Sequence, residues 1–182
     1  LTAGLAYEGQ GNSTTGLFSK ESVDAIGAQL AYTGESYGLS LSWANIENHN
    51  ASNALLTTDA TGDGQTQSVG INGYYTPDLP NFPSISFGAE SNHNDAVSGT
   101  SADQTSHYFL GLQWDEFGEG TLGAAVGSKE PFTENADSFT MYEIFYSYNY
   151  ADGISITPIF YSKDNGATTD ETGAILKTTF SF

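Results

Sequence analysis

The chain has 182 residues, no cysteine, and 22 acidic residues against four lysines and no arginine, which gives a formal net charge of −18. The lack of cysteine excludes disulfides, thiolate chemistry and Cys-ligated zinc, and the charge disfavours binding to nucleic acid or anionic lipid. No run approaches the roughly 18 apolar residues of a spanning helix. The length fits a single domain, residues 1–182.

Ten segments alternate large apolar side chains with small or polar ones, which is the period-two pattern of strands with two unlike faces. The first five apolar stripes are Leu1, Ala3, Leu5, Tyr7; Ile26, Ala28, Leu30, Tyr32; Tyr37, Leu39, Leu41, Trp43; Val69, Ile71, Gly73, Tyr75; and Ile85, Phe87, Ala89. The second five are Tyr108, Leu110, Leu112, Trp114; Leu122, Ala124, Val126; Tyr142, Ile144, Tyr146, Tyr148; Ile154, Ile156, Pro158, Phe160; and Leu176, Thr178, Phe180, Phe182. The pattern predicts an all-β meander of about ten antiparallel strands.

The connections between these segments alternate in length. Polar loops are predicted near 9–24, 47–66, 92–104, 129–138 and 163–171, and tight turns at 34–36, 77–82, 116–120 and 151–153. Long connections at one end and short ones at the other are typical of transmembrane β-barrels of the bacterial outer membrane, with extracellular loops and periplasmic turns. The sequence therefore predicts an antiparallel outer-membrane β-barrel.

The second face of the strands distinguishes a barrel from a soluble β-sandwich. In a soluble sandwich that second face would meet water and would carry Lys, Glu, Arg and Thr. Here small residues such as Gly27, Ser40, Ser42, Gly70 and Gly111 predominate, and charges are few. They would leave the lumen of a ten-stranded barrel unfilled, so a wider pore suits them better.

Aromatic residues fall at both ends of the predicted strands, as they do at the two interfaces of a membrane barrel. At the short-turn end lie Tyr32, Tyr37, Tyr75, Trp114, Tyr148, Tyr150 and Phe182, and at the other end Tyr7, Trp43, Tyr108, Tyr142 and Phe160. Aromatics also favour strands generally, and chance placement at strand ends is the alternative. We interpret these residues as two aromatic girdles.

Four charged residues fall on the inward face by parity: Glu8, Glu90, Glu143 and Lys177. In a barrel they would line water and influence which ions pass. The alternative is that Glu143 and Lys177 form a structural ion pair in the wall.

Other constellations give weaker indications, and we predict no catalytic residue, metal ion or cofactor. Asp59, Thr61 and Asp63 imitate half of a calcium loop, but the closing carboxylate is replaced by Gly70. His49 and His93 lie in similar loop tips without a close metal-binding spacing. Ser106 and His107 are adjacent in a strand and point to opposite faces, which argues against a hydrolase.

The segment Met141 to Tyr161, MYEIFYSYNYADGISITPIFY, and the closing ILKTTFSF resemble the last three strands of cyanobacterial major outer-membrane porins of the carbohydrate-selective (OprB-like) porin family. The resemblance rests on Glu143 before the last hairpin and on the ISITP run ending at Pro158, and it covers about the last 45 residues. It implies that the chain is the C-terminal portion of a sixteen-stranded, trimeric diffusion pore, preceded by a periplasmic surface-layer-homology segment. The absence of arginine departs from sugar-selective relatives, in which basic residues line the constriction.

The predicted function is passive diffusion of ions and small hydrophilic solutes across an outer membrane. The alternative is a complete ten-stranded surface barrel that acts as an adhesion or binding protein or as a phage receptor. Phe182 ends the last strand, with Phe180 in register, and we expect both to be recognised by the barrel-assembly machinery. The expected partners are outer-membrane lipid, two further copies in a trimer, and small ions and solutes.

Overall fold

The computed structural model describes residues 1–9, 24–48, 64–95, 103–131, 137–164, 166 and 169–181. Within these ranges the chain forms ten β-strands and no helix. The strands are β1 (Thr2–Gly9), β2 (Asp24–Thr33), β3 (Tyr37–Asn48), β4 (Gly64–Tyr75), β5 (Ser84–Asp95), β6 (Gln104–Phe117), β7 (Gly120–Lys129), β8 (Phe139–Ala151), β9 (Ile154–Asp164) and β10 (Glu171–Phe180). The predicted number and type of elements are confirmed.

All ten strands belong to one antiparallel sheet in which each strand pairs with the next in sequence. This is the predicted meander. The chain crosses between β1 and β2, β3 and β4, β5 and β6, β7 and β8, and β9 and β10 at one edge, which we call the long-loop edge. The turns 34–36, 76–83, 118–119 and 152–153 lie at the opposite, short-turn edge. Since β1 and β10 each pair with one neighbour, the described sheet is open.

The strand register places every predicted apolar stripe within the described residues on the same side of the sheet. Leu30 faces Leu41, Leu41 faces Ile71 and Ile71 faces Ala89, and the row continues across the sheet through matched pairs. We call this side the apolar face and the other the polar face. The polar face carries Gly27, Ser40, Ser42, Gly70, Asn72, Glu90, His107, Gly111, Glu143 and their neighbours in register.

The strands extend further toward the long-loop edge than the apolar pattern indicates. Gln65 and Thr66 belong to β4 and Asn92 to β5, although all three were predicted to lie in loops. Polar side chains join these ends: Gln65 donates to Asn45 Oδ1 over 2.8 Å, and Thr66 donates to Asn94 Oδ1 over 2.9 Å. Cross-strand hydrogen bonds thus continue the sheet where the apolar residues stop.

The strands are tilted relative to the edges of the sheet. One unbroken row of paired residues runs through Tyr37, Tyr75, Ile85, Leu112, Ala124, Ile144 and Phe160. At β3 the row starts at Tyr37, the first residue after the short-turn edge. At β9 it is six residues beyond Ile154, the corresponding first residue, so the row moves six residues away from that edge over six strand-to-strand steps. With about 3.3 Å per residue and about 4.8 Å between strands, that slope is about 35°, close to the tilt of strands in closed barrels.

The β8–β9 turn depends on Gly153, which has φ 72° after a register shift between Asn149 and Ala151. The amide of Ser181 donates to the Gly153 carbonyl over 2.7 Å, which ties the turn to the end of β10. A Cβ on Gly153 would lie 2.5 Å from the Ser181 carbonyl oxygen. Gly118 in the β6–β7 turn has a similar φ of 66°, but its nearest neighbour would lie 3.6 Å away.

We therefore expect Gly153→Ala to destabilise the protein more than Gly118→Ala. Both variants place a side chain in the left-handed region, at a cost of about 1–2 kcal/mol, and only Gly153→Ala must also displace backbone. Urea unfolding of the refolded protein measures both costs. Equal losses in the two variants would show that the Ser181 backbone moves aside at no measurable cost.

Candidate functional site

Burial in this sheet is inverted relative to a soluble protein. The side chains with the smallest exposed fractions are polar: Thr105 at 0 %, Asn94 at 4 % and Asn92 at 6 %. In the middle of the apolar face, by contrast, Leu41 and Ile144 are about half exposed. The sheet therefore buries several polar side chains and leaves its large apolar side chains exposed.

The buried polar residues form a network across β4, β5 and β6. Asn92 Nδ2 donates to Glu90 Oε1 over 2.9 Å and to Thr105 Oγ1 over 3.4 Å. Its Oδ1 accepts a hydrogen bond from the Ser68 hydroxyl. Asn92 thereby uses both ends of its amide and holds the Glu90 carboxylate in place on the polar face.

Replacing Asn92 by leucine is expected to lower the free energy of unfolding by about 1–3 kcal/mol, because the buried hydroxyl of Thr105 and the half-buried hydroxyl of Ser68 lose their partner. Asn72→Leu is the matched control, since Asn72 is exposed on the same face. Denaturant midpoints of the two variants give the comparison. A control that loses as much as Asn92→Leu would mean that the network adds no stability.

A hollow of about 280 Å³ lies on the polar face between β3 and β6. Its polar lining comes from Ser42, Asn72, Glu90 and His107, above the small residues Gly70 and Gly88. His107 lies between Glu90 on β5 and Lys129 on β7 in the register. Its buried Nδ1 has no hydrogen-bond partner among the described residues. The hollow combines an acid, an imidazole and neutral hydrogen-bonding groups, which suits hydrated solutes of varied chemistry.

The structure places all four predicted pore residues on the polar face. Glu8 faces Ala25, Glu90 faces His107, Glu143 faces Tyr161, and Lys177 faces Thr157. They are spread across β1, β5, β8 and β10 and do not form one cluster.

The alternative ion pair between Glu143 and Lys177 is wrong. Thr157 stands opposite Lys177 and donates a hydrogen bond to Ser147 over 3.0 Å, so Lys177 is level with Ser147 on β8. Glu143 lies four residues further along that strand, which is about 13 Å at the usual rise. The two charges act separately.

Sequence reasoning missed two lysines of this face. Lys129 faces His107, and Lys163 faces Glu171 and Met141. Both were assigned to loops. Each stands three residues after a member of an apolar stripe, Lys129 after Val126 and Lys163 after Phe160, so the alternation of faces would have placed both on the polar face. All three lysines that the structure describes therefore lie on this face, Lys177 being the third.

The polar face is also less open than its many small residues indicate. Phe109 lies against Gly88, Phe145 against Gly123, and Tyr161 against Gly173, so that each ring fills the space above a glycine on the neighbouring strand. A Cβ at any of these glycines would force the ring to move. Part of the expected empty lumen is thus occupied by aromatic side chains from adjacent strands.

The predicted girdle residues within the described chain lie on the apolar face as expected, except that Tyr150 follows a register shift and its side is not fixed by pairing. Tyr32 and Tyr37 stack with ring centroids 5.2 Å apart, and Tyr37 pairs with Tyr75 at the short-turn edge. Trp114 faces Leu122 and Tyr148 faces Ile156 near the same edge. Toward the long-loop edge lie Tyr7, Tyr108 and Tyr142, whereas Trp43 and Phe160, which were predicted there, lie near the middle of β3 and β9.

Several predicted features fall outside the described residues: His49, the Asp59 to Asp63 segment and Phe182. Ser106 and His107 do point to opposite faces, since Ser106 pairs with Ser91 and His107 with Glu90. In the described ranges no three His, Asp or Glu side chains are grouped as metal ligands. Nor does any helix there have the length and apolar character to cross a membrane.

Comparison with known proteins does not assign the chain to a family. Neither a scan against protein-family models nor a search of curated proteins returns a match.

Proposed function

We propose that this chain forms part of the wall of an outer-membrane β-barrel that lets ions and small hydrophilic solutes diffuse passively. The inverted burial of the sheet carries the proposal. A continuous apolar band is exposed on one side of ten adjacent strands, while the buried network around Asn92 and the three described lysines lie on the other. A band of this size in a water-soluble protein would require a covering partner, whereas lipid covers it without one.

The dimensions of the sheet support the membrane location. Nine of the ten strands have 10 to 14 residues, and a tilted membrane-crossing strand needs about 9–11. The slope of about 35° agrees with barrel tilt. Aromatic residues border the aliphatic band toward both edges, which is the arrangement expected at the two membrane interfaces.

The free edges of β1 and β10 favour further strands in the complete protein. Leu5 on β1 is 86 % exposed, far more than Leu41 in the interior of the sheet at 48 %. An edge strand in a finished protein is usually protected by charges, proline or a bulge, and β1 carries only Glu8. This agrees with the resemblance of the last three strands to cyanobacterial porins and with a C-terminal portion of a sixteen-stranded, trimeric barrel.

The test is single-channel recording from the full-length protein in planar bilayers. Because the chain has no cysteine, one can be introduced on each face: Asn72→Cys on the polar face and Ile71→Cys on the apolar face. We expect steady ohmic channels, and we expect a membrane-impermeant cationic thiosulfonate to lower the conductance of Asn72→Cys alone.

Two results would contradict the proposal. Absence of channels from correctly inserted protein would remove the diffusion function and leave the surface-binding barrel as the better explanation. Equal modification at the two positions would show that the two faces do not meet different solvents.

A further inference from the structure

A second hollow, of about 570 Å³, lies on the polar face between β6 and β10. Its side chains come from Phe109, Met141, Glu143, Tyr161, Lys163, Glu171 and Ile175. These residues share the polar face by register, since Met141 faces Gly127 and Lys163, and Glu143 faces Ala125 and Tyr161. The volume is within the range of about 300–1,000 Å³ that small-molecule sites occupy.

The walls of this hollow are apolar, although they belong to the face that gathers the polar groups of the sheet. Phe109, Met141 and Ile175 are each about half exposed there. Apolar surface grouped in a concavity with a few polar groups is the usual composition of a ligand site.

The charged groups of the hollow differ in how far they are already engaged. The Lys163 ammonium lies 4.7 Å from the centroid of the Phe139 ring, in a cation–π contact. Glu171 accepts a hydrogen bond of 3.1 Å from the Tyr161 hydroxyl. Glu143 lines the hollow as well, and it makes no hydrogen bond or ion pair with any described side chain. Glu143 is thus the group available to a ligand.

We propose that this hollow binds amphipathic organic cations: an ammonium group at Glu143, joined to an aromatic or short aliphatic body that packs on Phe109, Met141 and Ile175. Two carboxylates against one lysine make the site negative, so an anion of the same shape is disfavoured. A neutral analogue keeps the apolar contacts and loses the charge-assisted hydrogen bond. The inference goes beyond the proposed diffusion function, since a site on the wall can be occupied whether or not the protein conducts.

The experiment measures binding to the full-length protein in detergent, by calorimetry or by saturation-transfer NMR. The probe is 2-phenylethylammonium, with 2-phenylethanol and phenylacetate as the neutral and anionic analogues. We expect saturable binding in the order cation, alcohol, anion. Glu143→Gln should weaken the cation about tenfold, as loss of one charge-assisted hydrogen bond implies, and leave the alcohol unchanged.

Two control variants separate this site from general attraction of cations. Glu8→Gln removes a carboxylate from the same face on β1, away from the hollow, and should not change binding. Ile175→Ala should weaken the cation and the alcohol together. The proposal is overturned if phenylacetate binds as well as the cation, if Glu8→Gln weakens binding as much as Glu143→Gln, or if no probe binds saturably. A protein that binds the probe but forms no channel would contradict the diffusion function and leave this site standing.

Discussion

Ile144→Lys is expected to destabilise the inserted protein by about 2–4 kcal/mol, the cost of a lysine on the lipid face of a barrel near the bilayer midplane. Ile144 lies near the middle of β8, faces Ala124 and Phe160 on the apolar face, and is about half exposed. In the folded state the ammonium of the introduced lysine would therefore lie in the hydrocarbon of the bilayer. Reversible urea unfolding from lipid vesicles measures the change in free energy.

The adjacent residue provides the control. Glu143→Lys reverses a charge on the polar face one position away, where water would hydrate either sign, and should change stability little. If the two lysine variants lose the same stability, the two faces share one environment and the membrane orientation is wrong. If Ile144→Lys is neutral in a detergent-free soluble protein, the apolar face is covered by something other than lipid.

The ten strands and their two faces were predictable because the pattern of large and small residues has the same period as the pleat. Once Leu30, Leu41 and Ile71 are each assigned to an apolar stripe, antiparallel pairing of sequential strands places them in one row. The alternating loop lengths then determine which edge each strand end reaches. These features depend on local sequence alone.

Whether a residue is at an odd or even position in a strand determines the face on which it lies. It does not determine which residues of distant strands stand at the same height along the sheet. The distance along the strands between Lys177 and Glu143 depends on the register of β9 with β8 and with β10, and on a bulge near Asn149. No pattern in the sequence predicts that bulge. Strand ends at Thr66 and Asn92 were missed for a related reason. Polar residues at a strand end extend the sheet through side-chain hydrogen bonds, which composition alone does not distinguish from a loop.

The hollow between β6 and β10 could not be predicted from the sequence, because the glycines of the polar face are visible there and the rings that cover them are not. Gly88, Gly123 and Gly173 indicated a wide lumen, but each lies under a ring of the neighbouring strand. Pairing a small residue with a specific aromatic neighbour requires the register. The charged residue Glu143 was identified from the sequence, whereas the apolar walls around it appeared only in the structure.

A conducting pore built from this wall should prefer cations, and the preference should weaken as salt rises. On the strands of the polar face Glu8, Glu90, Glu143 and Glu171 are nearly balanced by three lysines, so the bias comes mainly from the two edges. At the short-turn edge lie six acidic residues and no lysine: Glu35, Asp78, Asp115, Glu116, Glu119 and Asp152. The Debye length is about 8 Å at about 0.15 M salt, so these charges act within the pore mouths.

Reversal potentials under a KCl gradient, recorded at low and high salt, measure this preference. Glu143→Lys should reduce it at both salt concentrations, because the charge stands on the pore wall. Glu35→Lys, in the β2–β3 turn, should reduce it at low salt and have little effect at high salt, because ions screen an exposed charge at the mouth. Anion preference of the intact pore, or equal salt dependence in the two variants, would show that charges outside these ten strands set the selectivity.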